Sequence, residues 1–253
     1  SPLTLDVSNI TQGYFVAQSD SADLVTSLQI TAPTGVLYAY FIDPGENAVI
    51  PFTEGNGDYT VVGYQQIQGD QYAALYSEIL TVELENDFFP FLYPNQYVNF
   101  SPDSEASKLA LSMVSEDTTD VDALKQIYNY VVNNLTYDYD KAETVETGYL
   151  PDVDETLSTK TGICFDYAAL TTAMLRSCDI PCKLQIGYTG DIKHAWIDVY
   201  IRSKGWVTGA VSFNGDSWSL MDPTFDSSAD SDDTEAIQDY IGNADNYTVQ
   251  FTR

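Results

Sequence analysis

From Leu3 to Leu84 apolar and polar residues alternate in short runs rich in β-branched and aromatic side chains: Leu3 to Val7, Gly13 to Ala17, Leu24 to Ala32, Val36 to Ile42, Ala48 to Phe52, Asp58 to Gln66 and Gln71 to Leu84. A period of two marks strands with one face buried. The breaks fall at Pro33-Thr34-Gly35, Asp43-Pro44-Gly45, Glu54-Gly55-Asn56-Gly57 and Gly69-Asp70, which carry the residues that tight turns demand. Strands at this spacing predict a β-sandwich of immunoglobulin-like size. The segment has no cysteine or histidine and its carboxylates are scattered. A spacer or docking module is therefore the expected role, and carbohydrate or cell-wall binding would need exposed aromatics gathered on one face.

The stretch from Asn86 to Tyr97 holds several aromatics and two prolines, a composition for a stiff, packed joint rather than a flexible linker. The expected division is a β-sandwich domain over 1–86 and a second domain over 87–253. In the second, helices are predicted over Ser104 to Ser115 and Val121 to Leu135. In the latter, Val121, Leu124, Tyr128, Val131 and Leu135 form one apolar face, with Thr119 or Asp120 as its cap. From Cys164 to Cys178 nearly every position is apolar or small, Asp166 and Arg176 being the only basic or acidic ones, which predicts a buried helix opening at Cys164. Cys182 to Tyr188, His194 to Arg202, Trp206 to Phe213 and Ser217 to Met221 read as antiparallel strands, with hairpin turns at Lys204-Gly205 and Asn214-Gly215. The overall expectation is an α+β chain, a β-sandwich followed by a helix packed on an antiparallel sheet.

The chain has 10 Lys and Arg against 38 Asp and Glu, a formal charge of −28, which repels nucleic acid and anionic lipid. No apolar run is long enough to span a bilayer, so no membrane insertion is expected. The first residues, Ser1-Pro2-Leu3, lack a basic and apolar signal region, so a signal is expected to have been removed or omitted. The abundance of Tyr, Asn, Thr, Ser and Asp suggests an extracellular or cell-surface protein.

A thiol at a helix start meets the positive end of the peptide dipoles, which favours the nucleophilic thiolate. Cys164 is the candidate, against the plainer reading of a small buried residue. A cysteine nucleophile needs a base, and the chain holds one histidine, His194. Asp222, ahead of Pro223, is placed to orient the ring as a third member. Cys178 and Cys182 admit a disulfide, two buried thiols, or a zinc site with His194 that lacks a fourth ligand; no cofactor or metal is expected. Trp196 either walls the site or fills the core. The acidic run Asp226, Asp230, Asp232, Asp233 and Glu235 reads as a solvated loop more readily than as a calcium site, lacking the glycine and ligand spacing. Three glycosylation-type triplets, at Asn9, Asn134 and Asn246, carry no weight alone.

The blocks G-I-C-F-D-Y-A from Gly162, L-R-S-C-D-I-P-C-K from Leu175, I-G-Y from Ile186, H-A-W-I-D-V from His194 and D-P-T from Asp222 resemble the transglutaminase-like superfamily in order and separation. The resemblance covers the chain from about Asp120 onward. It departs at Asp179, where the family more often has glycine before Ile180. It implies a papain-like core with Cys164 as nucleophile, His194 as base and Asp222 as orienting carboxylate. It also implies that a side chain upstream of the cysteine completes the oxyanion hole, with Tyr137, Tyr139 and Tyr149 as candidates. The activity implied is amide acyl transfer on a protein or peptide, cell-wall associated or otherwise extracellular, ending in peptidase-like hydrolysis or in a cross-link. The rival is a non-catalytic cell-surface binding or structural module on the same fold.

Overall fold

The computed structural model describes residues 1–213, 218–220 and 247–253. It is a mixed α+β structure in two compact units, Ser1–Gln96 and Tyr97–Arg253.

The first unit contains β1 (Leu3–Asp6), β2 (Tyr14–Ser19), β3 (Thr26–Thr31), β4 (Leu37–Ile42), β5 (Asn47–Pro51), β6 (Gly57–Gln68) and β7 (Gln71–Val82). They form two antiparallel sheets, ordered β1-β2-β5 and β4-β3-β6-β7. Along β4 the alternation is strict: Tyr38, Tyr40 and Ile42 are buried while Leu37, Ala39 and Phe41 face outward. The rings of Phe15 on β2, Phe52 beyond β5 and Tyr59 on β6 pack in sequence, tilted at 5.5 Å and edge-on at 4.8 Å, joining residues of both sheets in one core. The aromatic stretch expected as a joint packs within this unit: Tyr93 meets Tyr14 at 5.9 Å, and the Gln96 amide donates to the Val49 carbonyl. The compact unit accordingly runs to Gln96.

The second unit holds five helices, α1 (Glu105–Met113), α2 (Asp120–Asn134), α3 (Tyr139–Thr144), α4 (Val153–Thr159) and α5 (Cys164–Ser177), among its described residues. Its main sheet comprises β10 (Cys182–Thr189), β11 (Ile192–Ile201), β12 (Gly205–Phe213), β13 (Trp218–Leu220) and β14 (Tyr247–Thr252), in the antiparallel order β13-β12-β11-β10-β14. A short parallel pair, β8 (Thr136–Tyr137) and β9 (Thr161–Gly162), stands apart from it. The core joins Leu124, Ile127 and Val131 of α2, Leu170, Ala173 and Met174 of α5, and alternate residues Ala195, Ile197 and Val199 of β11. Thr119 caps α2, its hydroxyl accepting from the Asp122 amide at 3.1 Å. Asp120 then binds the Arg202 side chain at 2.6 Å and its backbone N–H at 3.0 Å, fastening the start of α2 to the end of β11.

The end of α5 is equally fixed. The Asp179 amide donates to the Arg176 carbonyl and the Ile180 amide to that of Leu175, the paired bonds of a left-handed helix stop. Asp179 holds φ at 57°, the conformation for which glycine is suited, so the departure from the family pattern is a strained position. Arg176 is buried, and its guanidinium donates to the Cys182 carbonyl at 2.8 Å and the Arg253 carbonyl at 2.9 Å. All three cysteines are free. The Cys182 thiol points to the Thr172 hydroxyl at 3.5 Å, so the bridge to Cys178 that the spacing allowed is not made.

Candidate active site

The site begins at the parallel pair of β8 and β9, where Tyr137 lies opposite Gly162 and the Asp138 amide donates to the Gly162 carbonyl at 2.9 Å. Ile163 caps α5 and Cys164 is its first residue. Ile163 has no polar side chain to hold the helix start. Instead Asp166, one turn in, reaches back and accepts from the Ile163 amide at 2.8 Å, half of a capping box. A Cβ on Gly162 would stand 2.6 Å from the Asp166 Cβ, so this close return requires glycine.

Asp166 is fully buried, and its charge is met by two further donors from upstream. Lys141 of α3 donates to Oδ2 at 2.9 Å and the Tyr149 hydroxyl to Oδ1 at 2.5 Å; Lys141 also donates to the Tyr149 oxygen at 2.6 Å. Burial pulls the Lys141 ammonium down, but the Asp166 carboxylate and Tyr149 oxygen outweigh it and the net shift is upward. Burial and the adjacent carboxylate push the Tyr149 phenol up to about 12, so it stays a donor. This triangle was not foreseen. Its one sequence signal was an acid standing inside an otherwise apolar helix.

The Cys164 sulfur lies near the backbone amides of Ala195 and Phe165, whose N–H dipoles favour the ionised form. Burial nevertheless pushes the thiol above its ordinary 9.0, with Asp166 adding to the rise and the amides opposing it. The expectation of a thiolate favoured by the helix start is thus reversed at rest, because desolvation exceeds what the first-turn amides return. Burial, followed by the nearby Cys164 sulfur, raises the Tyr137 phenol, and the Cys164 backbone N–H opposes the rise. Tyr139 packs edge-on against Tyr137 at 4.9 Å and is largely exposed. Of the three upstream tyrosines, Tyr137 therefore lies near Cys164, Tyr139 flanks Tyr137, and Tyr149 serves Asp166.

His194 lies on β11 opposite Gly187 and is half-buried; burial lowers its ring below the ordinary 6.5. Alternation assigns it to the face with Trp196 and Asp198, opposite to Ala195, Ile197 and Val199. Consecutive Cα atoms are about 3.8 Å apart, so the sulfur at the Ala195 amide sits one residue along the strand from the histidine. Among the described residues none hydrogen-bonds the ring, Cys164 included. Asp222 lies outside the described residues, as does the acidic run from Asp226 to Glu235.

Trp196 is buried and packs on Tyr247 at 4.9 Å, a core residue. Asp198 is held by the Gly209 amide at 2.8 Å and the Gln185 amide group at 2.9 Å. Among the described residues no group of three or more His, Cys, Asp or Glu side chains is placed to hold a metal ion.

Residues 107–209 match the family model described as the transglutaminase-like superfamily. The uncharacterized protein YebA of Bacillus subtilis is 24% identical over 183 residues, which cover 63% of this chain and 25% of that protein. The UPF0252 protein MJ1282 of Methanocaldococcus jannaschii is 40% identical over 62 residues, 22% of this chain and 18% of that protein. The chain thus spans a quarter or less of the length of these curated relatives. Among solved structures, a candidate cysteine protease from Cytophaga hutchinsonii aligns with a TM-score of 0.46 at 17% identity, covering 95% of this chain and 79% of that one. A candidate protease from Parabacteroides distasonis aligns with a TM-score of 0.34 at 20% identity, covering 40% and 23%.

Proposed function

We propose, from the premise that residues 107–209 belong to the transglutaminase-like superfamily, that this chain catalyses thiol-dependent acyl transfer on an amide of a protein or peptide. The observation that carries the reading is the Cys164 sulfur at the opening of a buried helix, against the Ala195 amide and next in chain to the sole histidine. His194, neutral at rest, takes the proton of the Cys164 thiol as a new S–C bond forms at the substrate carbonyl. The carbonyl π electrons move onto oxygen, where the Cys164 N–H and the nearby Tyr137 hydroxyl both donate to the oxyanion. The C–N bond then breaks, the amine leaves with the proton from His194, and a thioester remains. Water at the thioester gives hydrolysis and restores the thiol; an amine in its place gives a cross-link. We favour hydrolysis. Asp222 orients the ring in this scheme, and His194 must rotate toward the sulfur, since catalytic hydrogen bonds often close only with substrate bound.

The second reading, a non-catalytic binding module, gains from the missing hydrogen bond between sulfur and imidazole. We read the first unit as an immunoglobulin-like sandwich whose fourth strand has moved beside the third, given the orders β1-β2-β5 and β4-β3-β6-β7. Its role is to space or dock the enzyme at a cell surface or outside the cell. No described helix is long and apolar enough to cross a membrane. Incubation with casein and a fluorescent primary amine tests the scheme. Fragments mean peptidase, amine incorporation means transferase, and both must vanish in Cys164→Ala; identical behaviour of that variant refutes a role for the thiol.

A further inference from the structure

A fully buried carboxylate one turn from a candidate nucleophile is an awkward neighbour, because its charge opposes the charge the sulfur acquires on ionising. Asp166 is nevertheless required for geometry, being the side chain that closes the turn between Gly162 and Cys164 by accepting from the Ile163 amide. Lys141 resolves the conflict. Its ammonium sits 2.9 Å from Asp166 Oδ2, and its second bond, 2.6 Å to Tyr149, orders the phenol that holds the other oxygen. The three side chains come from α3, the stretch before α4, and α5, so the pair also fastens the chain upstream of the site to the helix that carries the sulfur.

Resting on the assignment of Cys164 as nucleophile, we propose that Lys141 is a positioning residue for it: by neutralising the carboxylate that staples the first turn of α5, it fixes that turn and prevents a bare negative charge from facing the ionised sulfur. Among the described residues, the other ionisable groups around the thiol are Tyr137 from β8 and His194 from β11, next to Ala195. Neither bonds to Asp166, so Lys141 is the cation that balances it. Tyr149 and the Ile163 amide hold the carboxylate by hydrogen bonds that do not involve Lys141.

The test is the rate of Cys164 alkylation by iodoacetamide between pH 6 and 10, with the modified cysteine assigned by mass spectrometry. Lys141→Met moves the profile upward by about one pH unit, about a tenfold loss of rate below the midpoint. Asp166→Asn moves it downward, and the double variant returns to within about threefold of wild type, since charge balance is restored. Lys141→Arg keeps the wild-type profile. A purely structural brace predicts that both single variants slow in the same direction, and that outcome, or unmoved profiles in both, overturns the inference. If wild-type Cys164 reacts no faster than Cys178 and Cys182, the nucleophile assignment itself falls and takes this inference with it. Thermal melts accompany each variant, and Asp166→Asn with Lys141→Arg decides the matter if Lys141→Met does not fold.

Discussion

The charge state of the resting site can be read from a single resonance. The chain has one histidine, so its imidazole C–H signals in a proton NMR titration belong to His194 without assignment. Burial pushes the Cys164 thiol up and the His194 ring down, and both shifts favour the uncharged forms. The structure therefore predicts a neutral thiol beside a neutral imidazole near pH 7, and a His194 midpoint below 6.5. The alternative is a thiolate–imidazolium pair. Two unit charges about 4 Å apart at an effective dielectric of about 20 attract by about 4 kcal/mol, ample to reverse the sign of the burial effect and lift the midpoint above its ordinary value. The two states thus differ in direction and not merely in degree. Cys164→Ser removes the ionisable sulfur and leaves the packing nearly intact, so its midpoint should stay where the wild type has it. A wild-type midpoint above 6.5 that falls in Cys164→Ser would refute the neutral pair, and with it the role of His194 as a base that takes the thiol proton during attack. The linked stability follows the same sign. A base whose folded midpoint is depressed is penalised while protonated, so this contribution to stability rises with pH from the folded midpoint up to about 6.5.

Three further outcomes follow from the second unit. Arg176→Met strips the donors from the Cys182 and Arg253 carbonyls while keeping most of the stem, and urea unfolding should show a loss of roughly 2–5 kcal/mol; a change under 1 kcal/mol would mean that water replaces the guanidinium. Asp179→Gly relieves the left-handed strain and removes an acid from the end of α5, and should raise stability by roughly 0.5–1 kcal/mol in the same assay; a destabilised variant would contradict the strain. Asp120 is held below the ordinary 3.8 chiefly by its hydrogen bonds to Arg202. Its contribution is complete above that value and is lost as pH falls through the folded midpoint, so Asp120→Asn should be less stable than wild type at pH 6 and converge with it in strong acid by thermal melt.

The strands and α5 were legible because their period and breaks are local properties. Cys164 at a helix opening, the Thr119 cap and Trp196 in the core were all written in neighbouring residues. On α2 the stripe was only partly placed, since Ala123 and Ile127 are buried while Val121 and Tyr128 are half-buried. The aromatic stretch from Asn86 to Tyr97 announced that it would pack but not on what, and Tyr93 found Tyr14. The Lys141, Tyr149 and Asp166 triangle was hidden because its members stand 25 and 17 residues from Asp166 along a stretch of short helices whose six or seven residues show no period. The direction of the Cys164 shift was missed because helix-start electrostatics can be read from a motif whereas desolvation depends on the finished packing. Cys178 and Cys182 were near in sequence, yet the left-handed turn at Asp179 sends Cys182 onto Thr172.

The segment that matches the family, 107–209, is not a unit that could stand alone. β14 lies beyond it, and that strand completes the far side of β10 while the Arg253 carbonyl receives Arg176. A recombinant fragment trimmed to the match would leave β10 as a bare rim and a guanidinium half-coordinated in oil, an invitation to clump with its own copies. Conversely, a synthetic heptapeptide of residues 247–253, added to a chain shortened before Tyr247, has a ready berth and should restore the fold by complementation.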